Sequence, residues 1–156
     1  TEAIPQARTF TVPEIEHRME ATLGEQVRFL GYDLSPPPYK RGGTLHLTLY
    51  WQTITNMEKS YTVFVHLLDK NGMIGGQWDS VPGGGLLPTN SWLKGEIITD
   101  EYEVPIRAGA PPGQYVIEIG MYDRYTGERL QVLDANGKPV EGDRILLGQK
   151  LQVDRW

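Results

Sequence analysis

Cysteine is absent from all 156 residues. This excludes disulfide bridges, thiolate zinc sites and thiol catalysis, and it leaves the compartment open because a domain of this size holds together without bridges. No stretch approaches the roughly 18 consecutive apolar residues that a membrane-spanning helix needs, and the N-terminus lacks the charged and apolar parts of a signal peptide. Any targeting segment or membrane tether is expected to lie outside this stretch of chain. Basic residues are few and scattered: 15 Lys and Arg against 20 Asp and Glu give a net charge of −5. With no cationic cluster to displace counterions, nucleic acid and anionic bilayers are disfavoured as partners.

What the chain does have is 39% hydrophobic residues, 18 glycines, 11 prolines, four tryptophans and eight tyrosines, enough apolar material for one compact domain with many turns. Over residues 1–24, Pro5 and Pro13 interrupt isolated apolar residues with no sustained period, so an extended arm or linker is expected there. Within it IEHRMEATLG has room for at most a turn or two of helix before Gly24. The folded domain is expected over residues 25–156.

From Val27 onward, short β-branched and aromatic runs are punctuated by Gly, Pro, Asn and Asp, the pattern of an all-β chain. VRFLGYDL stops at Pro36-Pro37-Pro38, which cannot donate to a ladder. In TLHLTLYWQ, Leu45, Leu47, Leu49 and Trp51 share one face and mark it as core. YTVFVHLLD is apolar on both parities and reads as a central strand, joined to MIGGQWD by the hairpin signal Asp69-Lys70-Asn71-Gly72. EIITDEYEVPI and QYVIEIGMYD follow, and RLQVLDANGKPV and RILLGQKLQV close the chain, with Trp156 expected to be exposed. Seven or eight strands at this spacing predict an immunoglobulin-like antiparallel two-sheet sandwich with an extended N-terminal arm, and a small barrel is the rival. Leu45, Leu47, Leu49, Val63, Val65, Ile117, Ile119 and Met121 form the expected core. Tyr115, following the Pro111-Pro112-Gly113 corner, fits a tyrosine corner.

The pattern supplies no catalytic constellation. His46 and His66 fall on strands expected in different sheets, and neither HExxH nor H-x-H spacing occurs, so no metal site is expected. There is no G-x-S-x-G elbow, and the acidic residues Asp79, Asp100, Glu101, Glu103, Glu118 and Asp123 read as a solvated sheet face rather than a carboxylate pair. The DKNG and DANG turns lack the later ligands of a calcium loop, and the triple glycine of VPGGGLLP lacks the Lys-Ser/Thr and helix of a phosphate loop. No cofactor and no enzymatic activity are expected. The long segment Val81 to Gly95 remains, with Leu86, Leu87 and Trp92 as apolar anchors. Indole faces stack on sugar C–H faces while planar polar groups meet the hydroxyls. Trp78, Asp79, Asn90 and Trp92 are therefore the candidate ligand-binding residues, with Trp92 near the surface beside Trp78 and Asp79. The competing expectation is a structural or protein-interaction module docked through Leu86, Leu87 and Trp92.

Four phrases, GTLHLTLYWQ, YTVFVHLLDKNG, GGGLLPTNSWLKGE and APPGQYVIEIGMYDRYTGERL, together resemble the extracytoplasmic β-sandwich tails of bacterial polytopic membrane proteins of the glycosyltransferase type. More distantly, the strand-DxxG-strand and G-x-Y patterns are similar to the carbohydrate-binding C-terminal domain of O-antigen ABC-transporter ATPases. The resemblance implies a non-catalytic module outside the cytoplasm, tethered to a membrane parent, that binds or positions an oligosaccharide or polysaccharide. It also implies possible contact with a membrane region absent from this chain. It brings no set of binding residues with it.

Overall fold

The computed structural model describes residues 7–155. Among the described residues ten strands are formed: β1 (His17–Leu23), β2 (Val27–Leu34), β3 (Tyr39–Lys40), β4 (Thr44–Thr53), β5 (Thr62–Asp69), β6 (Ile74–Ser80), β7 (Ile97–Pro105), β8 (Gly113–Tyr122), β9 (Val132–Asp134) and β10 (Ile145–Asp154). They make two five-stranded sheets, β7-β4-β2-β1-β9 and β3-β10-β8-β5-β6. Neighbours run antiparallel except β3 and β10, which pair in parallel over two positions. The expected two-sheet sandwich is what the chain adopts.

Strand parity explains how the sheets meet. Leu45, Leu47, Leu49 and Trp51 of β4 face Val63, Val65 and Leu67 of β5 and Ile117, Ile119 and Met121 of β8 across the interior, none more than 1% exposed. Burying each such side chain contributes roughly 1.5–3 kcal/mol. The two apolar parities of β5 are resolved by position. Val63, Val65 and Leu67 enter the core, whereas Phe64 is buried on the outer face of its sheet and stands apart from that core cluster.

The Tyr115 hydroxyl donates to the Pro111 carbonyl at 2.6 Å, as a tyrosine corner requires, and its ring lies where a Cβ on Gly75 would come within 2.5 Å of it. Tyr39 repeats the device on the Ser35 carbonyl, also at 2.6 Å. Tyr115→Phe is expected to cost about 0.5–1.5 kcal/mol, the net worth of one hydrogen bond. An unchanged urea midpoint would contradict the corner.

The structure corrects the expected arm. Residues 17–23 form β1 instead of a helical turn, hydrogen-bonded to β2 on one side and β9 on the other. The alternation Ile15, His17, Met19, Ala21, Leu23 is a strand signal, and Gly24 and Glu25, at φ 57° and 55°, fold the chain back onto β2. That hairpin gives the segment hydrogen-bond partners that an isolated short helix would lack. Ahead of it, the Ile97 amide donates to Thr9 O at 2.9 Å and Arg8 pairs with the nearly buried Glu96, so residues 8 and 9 are docked on the sandwich. The domain therefore includes much of what the sequence suggests is a linker. Residues 1–6 of the expected arm and Trp156 lie outside the described residues.

Candidate functional site

The sandwich is open along one side, where β6 ends one sheet and β7 ends the other. At one end of this opening the two edges touch. Gly76 forms a bridge to Ile106, and the Arg107 amide donates to Gly75 O at 2.8 Å. The contact requires glycine, because a Cβ on Gly76 would stand 2.6 Å from the Pro105 carbonyl. Beyond that bridge no further ladder joins β6 to β7 among the described residues, and the edges enclose a cleft of about 390 Å³. Trp78, Ser80 and Gly84 line one wall; Glu101, Tyr102 and Glu103 line the other. A second hollow of about 360 Å³ shares Glu101, Tyr102 and Glu103 and continues toward His46 and Thr48 of β4.

Trp78 is paired with Val65 and so has the core-facing parity of its sheet. Being on the edge strand, it projects past the rim of the opposing sheet and stays 50% exposed. An indole held by a strand backbone, with one side in solvent, is a rigid platform for a ligand with an apolar face.

The far end of the cleft is closed by the glycine-rich loop. Gly83, Gly84 and Gly85 take φ values of 69°, 65° and 91° in succession, a path that L side chains resist. The loop is fastened from below by Asp100, which is fully buried. Its Oδ1 accepts from the Gly83 amide at 2.8 Å, and its Oδ2 accepts from the Trp51 indole at 3.1 Å and from the Tyr102 hydroxyl. Burial pushes the Asp100 carboxyl above its ordinary range, and these three donors pull it partly back. Burial, and then the charge of Asp100, hold the Tyr102 hydroxyl well above the usual tyrosine value.

On the outer face of the other sheet, that of β5 and β8, lies a second polar group, built around Glu118 of β8. Its Oε2 meets His66 Nδ1 at 2.8 Å and its Oε1 accepts from Arg144 Nη1 at 3.0 Å, with Arg129 Nη1 3.8 Å away. A carboxylate only accepts, so His66 donates from Nδ1. Burial alone would raise the Glu118 pKa, but the hydrogen bonds from His66 and Arg144 and the charge of Arg129 outweigh it and hold the carboxyl below its ordinary range. Arg129 stacks 4.2 Å above the Phe64 ring, and Gly120 makes room, since a Cβ there would lie 2.4 Å from that ring. These contacts clamp the β8-to-β10 connection onto the sheet.

The candidate residues separate in the structure. Trp78 and Asp79 are consecutive on β6 and therefore point to opposite faces. Trp78 lines the cleft, whereas Asp79 accepts from Tyr122 at 3.0 Å on the outer face and stands 3.7 Å from His66. Trp92 is not at the surface beside them. It is 2% exposed within the core cluster, and its indole donates to Leu87 O at 3.0 Å. Its burial, with Thr89 fully buried three residues earlier, is what orders the long loop. Asn90 is exposed on that short turn and does not line the cleft. The expectation of a solvated acidic face holds for Glu101 and Glu103 and fails for Asp100 and Glu118, both within 5% of full burial. For Asp100 a signal was available: it shares parity with Ile98, Tyr102 and Val104, all buried. Nothing in the one-dimensional pattern joins Ser80 to Glu101 across the gap. His46 and His66 do lie in different sheets, on β4 and β5.

No protein-family model matches the sequence, and no curated protein matches it. Similarity emerges in three dimensions. The chain is similar to the crystal structure of the C-terminal domain of Wzt, with a TM-score of 0.56 and 10% identity over 92% of this chain and 83% of that one. Weaker likenesses are to the CARDB domain of the PF1109 protein from Pyrococcus furiosus, solved with di-metal ions (TM-score 0.43, 11% identity, 96% of this chain and 100% of that one), and to β-glucosidase from Listeria innocua, solved with glucose (TM-score 0.41, 13% identity, 80% of this chain and 16% of that one). The chain thus has a fold shared with the C-terminal domain of Wzt, while the likeness to glycosyltransferase tails finds no support among these structures.

Proposed function

We propose that this domain is a non-catalytic carbohydrate-binding module that holds an oligosaccharide or polysaccharide chain in the cleft between β6 and β7, against Trp78. The carrying observation is the half-exposed indole of Trp78 fixed on the wall of a cleft. A pyranose stacks its C–H face on such a ring, and its hydroxyls meet the Ser80 hydroxyl on the same wall. The fold shared with the Wzt domain supports this reading, as does the sequence resemblance to sugar-handling modules. That resemblance also leads us to propose an extracytoplasmic position, tethered in a membrane parent.

Trp78→Ala is expected to abolish glycan binding in calorimetric titration against a broad oligosaccharide panel. The urea midpoint should move by the equivalent of about 1 kcal/mol or less, because a half-exposed side chain is being cut back. If the unmutated domain binds nothing on such a panel, the proposal fails.

One observation favours a second reading, a protein-interaction module. Along the cleft no ladder joins the edges of β6 and β7 among the described residues, and an extended peptide could add there as a strand. Glu101, Glu103 and Pro105 on that edge are the residues proteins use to discourage such pairing, which is why we place the glycan first.

A further inference from the structure

Independently of the glycan reading, we infer that a divalent transition metal of the zinc type binds between His66 of β5 and Asp79 of β6, on the outer face of their sheet. Asp79 Oδ1 is buried with no hydrogen-bond partner among the described residues, and His66 Nε2 faces it at 3.7 Å. Because His66 donates from Nδ1 to Glu118 Oε2 at 2.8 Å, the neutral imidazole turns a bare lone pair toward this oxygen. Two acceptors therefore face each other, and the span decides what joins them. It is too long for a direct hydrogen bond, even with a proton on Nε2. It is too short for a bridging water, whose two bonds of about 2.8 Å at a tetrahedral angle hold their acceptors about 4.5 Å apart. An ion bonded to imidazole nitrogen at about 2.0–2.1 Å and to carboxylate oxygen at about 2.0–2.2 Å spans it with an angle of about 125°.

Both ligands are oriented from behind. The second nitrogen of a metal-bound histidine ordinarily donates to a carboxylate, and a ligating carboxylate is itself hydrogen-bonded. Here Glu118 fixes the His66 ring through Nδ1, and the Tyr122 hydroxyl donates to Asp79 Oδ2 at 3.0 Å, which leaves Oδ1 to the ion. The cations nearby, Arg144 and Arg129, approach Glu118 Oε1 at 3.0 and 3.8 Å, on the Nδ1 side of the ring. Gln77 is paired directly with His66 across the ladder and its side chain is exposed, so its amide oxygen can serve as a third donor, with water completing the shell. Imidazole beside oxygen donors suits zinc and its neighbours in the series, whereas calcium and magnesium take oxygen alone. No three His, Cys, Asp or Glu residues converge on an ion among the described residues, so binding is weaker than at a four-ligand structural site. The expectation of no metal site considered His66 only with His46; strand order brings it a carboxylate instead.

Calorimetric titration of the protein with zinc chloride, in a non-chelating buffer at neutral pH, is expected to show one site per chain. Its dissociation constant should be on the order of 10–100 µM, since two protein ligands supply about half of what four do. Calcium and magnesium should give no binding heat. His66→Gln and Asp79→Asn should each weaken zinc at least about ten-fold, and Glu118→Gln about ten-fold through the ring it orients. His17→Gln and His46→Gln, which remove the other two imidazoles, should leave the affinity unchanged. Zinc at about ten times its dissociation constant should raise the melting temperature of the unmutated protein and not that of Asp79→Asn. If His66→Gln fails to melt cooperatively, Asp79→Asn carries the decision, because it keeps an acceptor for Tyr122. No saturable zinc binding, zinc binding unchanged in Asp79→Asn or in a folded His66→Gln, loss of binding in His17→Gln or His46→Gln, or calcium bound as tightly as zinc would each overturn the site, whatever the oligosaccharide panel shows.

Discussion

Asp100→Ala is expected to cost about 3–5 kcal/mol, the scale seen when one partner of a buried charged hydrogen-bond group is removed. The substitution strands the Trp51 indole N–H, the Tyr102 hydroxyl and the Gly83 amide, all partners of a carboxylate that is itself fully buried. Asp100→Asn should cost less, about 1–3 kcal/mol, since the amide oxygen still accepts while its NH2 faces a donor. Urea titrations of the two variants rank them, and a loss under 1 kcal/mol for the alanine would show that the carboxylate is not the fastening of the loop.

The unmutated protein and Asp100→Asn should diverge with pH. Because burial raises the Asp100 pKa, the folded state holds that proton more tightly than the unfolded chain. Its contribution to stability is complete below the unfolded carboxylate value and is lost as pH rises through the folded one. Glu118, held below its ordinary range, does the reverse: its contribution is present above the unfolded value and is lost as pH falls through the folded one. Asparagine cannot titrate, so the deficit of Asp100→Asn should widen as pH falls through the folded Asp100 value.

Trp92→Ala is expected to be of similar size, about 3–5 kcal/mol, as buried large-to-small substitutions are. The indole fills the core beneath the long loop and its N–H meets Leu87 O, so its removal opens a cavity and leaves a carbonyl without its donor. Hydrogen exchange should show Gly85 and Leu87, whose amides bond back to Val81 and Pro82, losing protection before the sheets do. Glycan binding lost with stability unchanged would reverse the assignment and return Trp92 to the ligand surface.

Period-two patterning determined the all-β class, the turns at Asp69-Gly72 and Asp134-Gly137, and which residues of β4 and β8 enter the core, because alternation is a local consequence of the pleat. It also carried the Tyr115 corner, whose partner is four residues away. Read more strictly, it would have recovered β1 from Ile15 to Leu23 and the inward parity of Asp100. Tertiary structure alone decided the rest. Alternation says which face a side chain takes, and it is silent on what stands opposite. Trp78 has core parity and is half exposed because its strand is at an edge, while Trp92 sits in a loop and is buried because the loop folds over the sandwich. The cleft brings Ser80 toward Glu101 only because two sheets that touch at Gly76 and Ile106 then part, a separation set by the packing of all ten strands and encoded by no segment of the chain alone.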